Sequence, residues 1–351
     1  YGRFIAKRKY IITPTGRFDP CMFYEIRKYI KSNKIDVKLH QTESFKNVIL
    51  PTYQQTQVKQ LSLPLRDYQH NIVSTCLKVG RGVVVLATAG GKTLTIASLI
   101  QSVYEHDEKL KCLIIVPDLM LVNQTYNDFK EYRVGFSYSR WTGSHKLNLG
   151  SNIIIANTGI LQSSKTDTSW IDHVDMLVID EVHKLRKGNK INKVIKNVRT
   201  NHRFCLTGTM PESHEDCWNI IGKMGPILYE KNSYQLRSEK YIAKAEALIL
   251  KLEYKTPPRH LTRRPTDPGE RYRKESEFLR NNQFRNDTLS TLVSNFSNNG
   301  LLLVDYIEHG EILERHFKKN CPGKDVYFIR GDVAVEDRDA IKKLIEKSKN
   351  I

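Results

Sequence analysis

The sequence lacks any apolar run near the roughly 20 residues that a membrane span needs, and it shows no signal-peptide pattern. It begins at Tyr1 rather than Met, so the missing leader excludes nothing. Paired cysteines are missing too: Cys21, Cys76, Cys112, Cys205, Cys217 and Cys321 are scattered, with no C-x-x-C among them. That argues against a disulfide framework and suits a reducing cytoplasm. His202-x-x-Cys205 and His214-x-x-Cys217 have zinc-ligand spacing. Cys205, however, stands in the apolar run Phe204-Cys205-Leu206, where a core strand commits its side chains to packing, so no structural zinc is expected. Repeats at solenoid periods are absent. Acidic residues are in deficit, with 38 Asp and Glu against 56 Lys and Arg and a formal net charge of +18. Such an excess favours a polyanionic partner, nucleic acid first and an anionic membrane surface second. The bland reading is a soluble basic protein.

What is present centres on Leu86-Ala87-Thr88-Ala89-Gly90-Gly91-Lys92-Thr93. Gly82-Val83-Val84-Val85 before it is short and β-branched and predicts a buried strand, while residues 94–100 have helical spacing. A strand feeding a glycine turn that opens a helix gathers backbone N–H groups on an anion. Gly90 and Gly91 let the backbone approach a phosphate, Lys92 supplies a charge to the β- and γ-phosphates, and the Thr93 hydroxyl suits Mg²⁺. Leu86 departs from the pattern, which has Gly there.

The chain divides by composition into three stretches. Residues 1–55 read as a small basic accessory domain, with strands near 3–6, 10–12 and 35–39 and a helix starting at Asp19-Pro20. Residues 1–60 hold twelve Lys and Arg against four Asp and Glu. Arg3, Lys7, Arg8 and Lys9 alternate with Phe4 and Tyr10, a pattern suited to phosphates and stacked bases, or simply to a solvated face. Residues 56–240 alternate candidate strands (83–86, 112–116, 152–156, 176–179, 203–206) with helical patterns (94–104, 119–132, 159–163, 191–198), which predicts a mostly parallel sheet covered on both faces. Residues 241–351 begin with a Pro/Arg-rich linker or loop over 256–269 that includes Arg263 and Arg264. Helices near 285–296, 310–317 and 336–347 and strands at 301–304 and 325–329 follow. Two such repeats are too few for a closed core, so an incomplete second α/β domain is expected.

A phosphate loop needs a metal carboxylate on a neighbouring strand. Met176-Leu177-Val178-Ile179 runs into Asp180-Glu181-Val182-His183, where Asp180 can hold Mg²⁺ and Glu181 can take a proton from an attacking water. A D-E pair alone is a weak signal. About ninety residues after G-K-T it becomes a strong one.

Together these residues resemble the superfamily 2 helicases of the D-E-x-H type. Lys92-Thr93 matches motif I, Asp180-Glu181-Val182-His183 motif II and Leu206-Thr207-Gly208-Thr209 motif III. Leu65-Arg66-Asp67-Tyr68-Gln69 resembles the Q motif, which gives Gln69 an adenine-reading role and places Arg66 beside it. Ile115-Val116-Pro117 with Leu121 and Gln124 resembles motif Ia, and Thr142-Gly143 and Ile155-Ala156-Asn157-Thr158 resemble the remaining strand-contacting motifs. Leu302-Leu303-Val304-Asp305 looks like motif IV and Tyr327-Phe328-Ile329-Arg330-Gly331 like the strand after it. Among these helicases the phage branch-migration group is similar in having Leu at the position of Leu86. Motifs V and VI, with their arginines, are absent from these 351 residues, so the chain as given is expected to be a crippled ATPase.

The resemblance implies an α/β chain of RecA-like parallel-sheet motor domains, the second incomplete, with a small N-terminal α+β domain. It implies a DNA helicase or translocase using ATP and Mg²⁺ on forked or branched DNA and single-strand/double-strand junctions, in the cytoplasm of a prokaryotic or phage-infected cell, with protein partners unspecified. The implied catalytic residues are Lys92, Asp180, Glu181 and His183. Nucleotide contacts fall to Gln69, Arg66, Thr88, Ala89, Gly90, Gly91, Lys92 and Thr93, and the metal to Thr93 and Asp180. Coupling falls to Thr207, Gly208 and Thr209. DNA contacts fall to Pro117, Thr142, Gly143, Asn157 and Thr158, with Arg3, Lys7, Arg8, Lys9, Arg263 and Arg264. An RNA helicase or restriction-type translocase motor is the alternative within the class, and an ATP-independent nucleic-acid binding or annealing protein the alternative outside it.

Overall fold

The structure is a computed structural model. It describes residues 12–38, 40, 53, 56–185, 188–244, 246–254, 268–333 and 335–348. The chain forms two compact units, residues 1–245 and 246–351.

In the first unit seven strands make one parallel sheet. They are β1 (Arg81–Leu86), β2 (Cys112–Val116), β3 (Tyr138–Trp141), β4 (Ile153–Asn157), β5 (Met176–Asp180), β6 (His202–Thr207) and β7 (Ile227–Lys231), in the order β3-β4-β2-β5-β6-β1-β7. The helices between them are α2 (Asp67–Val79), α3 (Lys92–Tyr104), α4 (Leu119–Tyr132), α5 (Thr158–Gln162), α6 (Ile191–Asn197), α7 (His214–Met224) and α8 (Ser233–Ser238), preceded by α1 (Phe23–Ser32). Alternate residues of each strand point to opposite faces. Val84, Leu86, Ile114, Val116, Val178, Phe204 and Leu206 therefore share a core with the buried sides of α2, α3 and α4. Val83, Val85, Leu113, Ile115, Leu177, Ile179 and Cys205 share the other with α6 and α7. Strands covered on both faces are apolar through their middles, and β1, β2 and β5 are buried at every position.

Those continuous runs made five strands predictable. The two edge strands were not predicted: β3 and β7 have one neighbour each and mix polar with apolar residues, so they lack the run that marks a central strand. Helices α2, α7 and α8 were likewise not anticipated.

Near the amino end of the chain, a 3₁₀ turn over Pro20–Met22 leads into α1 and packs on α7. The Cys21 thiol donates to the Lys223 carbonyl at 3.5 Å and accepts from Arg81 Nη1 at 3.2 Å. Residues 35–38 form no strand, contrary to expectation: Ile35 and Val37 stay exposed and find no ladder partner among the described residues. The strands expected over 3–6 and 10–12, and Arg3, Lys7, Arg8 and Lys9, lie outside the described residues, apart from Ile12, which is a bend.

The second unit contains α9 (Pro268–Asn281), α10 (Gln283–Asn295), α11 (Ile307–Asn320) and α12 (Val335–Lys347). Leu313, Phe317 and Cys321 form its small core with Leu289, Val293, Val304 and Val326. Pro268 opens a helix instead of belonging to a linker, since proline at a first turn loses no hydrogen bond. Arg263 and Arg264 lie outside the described residues. Residues 301–304 and 325–329, expected as strands, carry no ladder among the described residues; Leu301 and Leu303 are 84% and 83% exposed. Apolar sequence alone does not make a strand without a neighbour to pair with.

Candidate nucleotide site

Ligands of a parallel sheet sit at its carboxyl edge, and the sheet order decides which loops meet there. β6 lies between β1 and β5, with Thr207 in register with Val85 and Leu206 with Asp180. Thr207-Gly208-Thr209 therefore stands between the loop after β1 and the pair after β5, although more than a hundred residues separate it from the first.

The loop over residues 87–91 is held in an unusual shape. Ala89 (φ +64°) and Gly91 (φ +77°) are left-handed, and Gly91 is the N-cap of α3 with no side-chain cap on the first-turn amides. Left-handed backbone costs a residue with Cβ about 1–2 kcal/mol, so Ala89 persists because its surroundings hold the loop. Leu86 is fully buried, and a Cβ on Gly90 would lie 2.7 Å from Leu86 Cγ. The leucine fills the core under the turn, and glycine is needed above it.

Lys92 Nζ meets Glu181 Oε1 at 2.5 Å, with both side chains largely shielded. Glu181 is itself left-handed (φ +53°), and its amide donates to Asp180 Oδ1 at 2.9 Å. Burial pushes the Asp180 carboxyl up to about 6, against the pull of Lys92. The His183 Nδ1 lies 2.9 Å from Thr207 Oγ1 and 3.1 Å from Glu181 Oε2. Thr207 Oγ1 spends its proton on the Thr209 carbonyl at 2.8 Å, so it accepts from His183, which assigns the imidazole proton to Nδ1. Lys92, Glu181, His183, Thr207 and Thr209 are thus one continuous polar chain. A Cβ on Gly208 would face Thr88 N and Lys92 Nζ, each at 3.8 Å.

The residues fit a phosphate chain and a divalent cation. The α3 amides lack a side-chain cap, Lys92 is a nearby ammonium, and Asp180 is a desolvated carboxylate of the kind a cation neutralises. Thr93 opens the same helix and would join Asp180 in holding the metal.

Gln69 is buried behind this loop. Its Oε1 accepts from the Arg66 amide at 2.9 Å, and its Nε2 donates to the Gly90 and Gly91 carbonyls at 3.3 and 3.1 Å. Tyr68, to which the sequence reading gave no role, donates its hydroxyl to the Gly90 carbonyl at 2.8 Å. Lys231 was missed as well: its carbonyl accepts from Ala87 N at 3.0 Å. Only β7, itself unpredicted, brings Lys231 here.

The residues read as strand-contacting lie on the same edge, past β2, β3 and β4. The Thr158 hydroxyl donates to the Pro117 carbonyl at 2.9 Å, tying two of these segments together. Asn157 precedes α5, with its Oδ1 buried and unbonded. Thr142 is buried in its own turn, bonded to His145 Nδ1 at 2.9 Å, and Gly143 faces open space. Among the described residues no three His, Cys, Asp or Glu side chains converge on a metal-sized point, and no helix is long and apolar enough to cross a membrane.

Comparison with known proteins agrees with this geometry. Residues 62–212 match the family ResIII, described as "Type III restriction enzyme, res subunit". The "ATP-dependent DNA helicase uvsW" of Enterobacteria phage T4 is 25% identical over 293 residues, 81% of this chain and 56% of the relative. The "DNA 3'-5' translocase XPB2" of Sulfurisphaera tokodaii is 26% identical over 226 residues, 63% of this chain and 46% of the relative. The chain thus spans about half the length of these curated relatives. In fold it is similar to the DUF1998 helicase MrfA, solved bound to DNA and AMPPNP, with a TM-score of 0.54 at 16% identity over 90% of this chain and 46% of that one. The motifs, their place on the sheet and these likenesses agree: residues 62–212 match the ResIII family, and the fold is similar to that of the MrfA helicase.

Proposed function

We propose that the protein is an ATP-dependent DNA helicase or translocase that remodels forked and branched DNA. The observation that carries the reading is the polar chain from Lys92 through Glu181 and His183 to Thr207 and Thr209. Phosphoryl transfer asks a protein for charge and positioning more than for covalent chemistry. Lys92 offers the charge, and Thr93 and Asp180 would hold Mg²⁺, which when bound neutralises phosphate oxygens. Glu181 is the acceptor for a proton from water. Its present partner is Lys92, so a nucleotide that draws Lys92 away frees the carboxylate for that work. His183 links that carboxylate to motif III, so a change at Glu181 reaches the Thr207–Thr209 turn directly. In our reading Arg66 and Gln69 contribute to recognition of the base, Gln69 from behind the loop whose Gly90 and Gly91 carbonyls it holds.

On the DNA side, Pro117, Thr142, Gly143, Asn157 and Thr158 occupy the strand ends next to the nucleotide motifs. Short polar groups and backbone amides suit phosphodiester contacts, which position without reading sequence. The net charge of +18 supports a polyanionic track. Arg3, Lys7, Arg8, Lys9, Arg263 and Arg264 are further DNA contacts in this reading, with residues 1–55, 56–240 and 241–351 as accessory, first motor and second motor domains. The setting is the cytoplasm of a prokaryotic or phage-infected cell.

The restriction-type motor keeps the same site, and the description of the matching family favours it as the second reading. A strand-displacement and branch-migration assay on matched DNA and RNA forks, with the full-length protein, separates the readings. ATP-dependent remodelling of DNA forks is expected. Preference for RNA forks, or movement along duplex without fork processing, would contradict the proposal.

A further inference from the structure

We infer that Tyr68 and Lys231 form a strut that positions the phosphate loop, a role resting on the nucleotide-binding reading of that loop. The loop is anchored at both ends. Ala87, where the chain leaves β1, donates its N–H to the Lys231 carbonyl at 3.0 Å. Gly90, at the far side of the turn, receives the Tyr68 hydroxyl at 2.8 Å. The two anchors are joined, because the Lys231 ammonium sits 5.1 Å from the centroid of the Tyr68 ring. One residue thus holds the start of the loop through its backbone and the end of it through an aromatic ring.

Each part of the strut is itself held. Tyr68 is buried, its hydroxyl accepts from Arg66 Nη1 at 3.0 Å, and its ring meets Tyr241 edge-on at 5.0 Å. Lys231 is buried on the edge strand and reaches both carboxylate oxygens of Glu239, at 2.6 and 2.7 Å. A buried ammonium in such a place is expensive, and an apolar side chain of similar size would serve packing as well or better. Here the Glu239 carboxylate pairs with the ammonium and holds it in place over the Tyr68 ring. Lys231 and Tyr68 touch no nucleotide in this account. They are positioning residues, acting through the carbonyl of Gly90 and the amide of Ala87, so their effect must reach the phosphate groups that the loop binds in this reading.

The test compares ADP with inorganic pyrophosphate, two probes that share the phosphates and differ in the base. Binding of both to the unchanged protein and to Tyr68→Phe, Lys231→Met and Lys231→Arg is measured by calorimetry, with circular dichroism to verify folding. Tyr68→Phe removes the hydroxyl's bonds to the Gly90 carbonyl and to Arg66 Nη1, and should weaken pyrophosphate about fivefold and ADP at least as much. Lys231→Met should do likewise, and Lys231→Arg, which keeps a cation over the ring, should recover most of the loss. Unchanged affinities in the folded variants would overturn the strut alone. Weakening of ADP without pyrophosphate would also overturn it, because the effect would then lie on the base. Failure of the unchanged protein to bind either probe would overturn the strut together with the nucleotide-binding reading beneath it.

Discussion

Leu86 shows how a residue that breaks a pattern can belong to the site. At a position where phosphate loops have glycine, its side chain is fully buried and lies directly under Gly90. The loop therefore depends on the leucine for support from below. Leu86→Ala should cost about 3 kcal/mol of stability, the usual price of an internal cavity, and should be read from urea melts. A loss below 1 kcal/mol would mean that the loop does not rest on this side chain. Lys92, Asp180, Glu181, His183 and Thr207, to which our reading gives the chemistry, were legible in the sequence because they are types that phosphoryl transfer demands at strand ends. Their supports were not. Tyr68 and Lys231 act through backbone groups, and a backbone carbonyl leaves no mark in a sequence.

At the level of elements, legibility followed burial. β1, β2, β4, β5 and β6 have strand neighbours on both sides, and their apolar runs announced them. β3 and β7 are edges with polar residues, and only the sheet they join defines them. The opposite failure occurred at 301–304 and 325–329, where apolar runs suggested strands that have no ladder among the described residues. Hydrogen exchange should rank these segments. Amides of β1, β2, β5 and β6 should be the slowest, those of β3 and β7 faster, and those of 301–304 and 325–329 among the fastest. Slow exchange at 301–304 would show that these amides are paired after all.

On the scale of the molecule, sheet order turns scattered motifs into one site. The loop after β1 and the pair after β5 flank the end of β6, so the residues that meet the phosphates and those that meet DNA in our reading share one edge. The alternation of strands and helices made a parallel sheet predictable, but the strand order could not be read from it. Order depends on crossovers that the sequence does not record. The placement of His183 between Glu181 and Thr207 follows from that order, and so does the claim that hydrolysis and movement are coupled. The measurement that tests this most directly is ATP turnover by Glu181→Gln in the full-length protein, with and without forked DNA. Removal of the proton acceptor should cut DNA-stimulated turnover at least a hundredfold while leaving DNA affinity within a few-fold of the unchanged protein. Turnover at the unchanged rate would contradict the account.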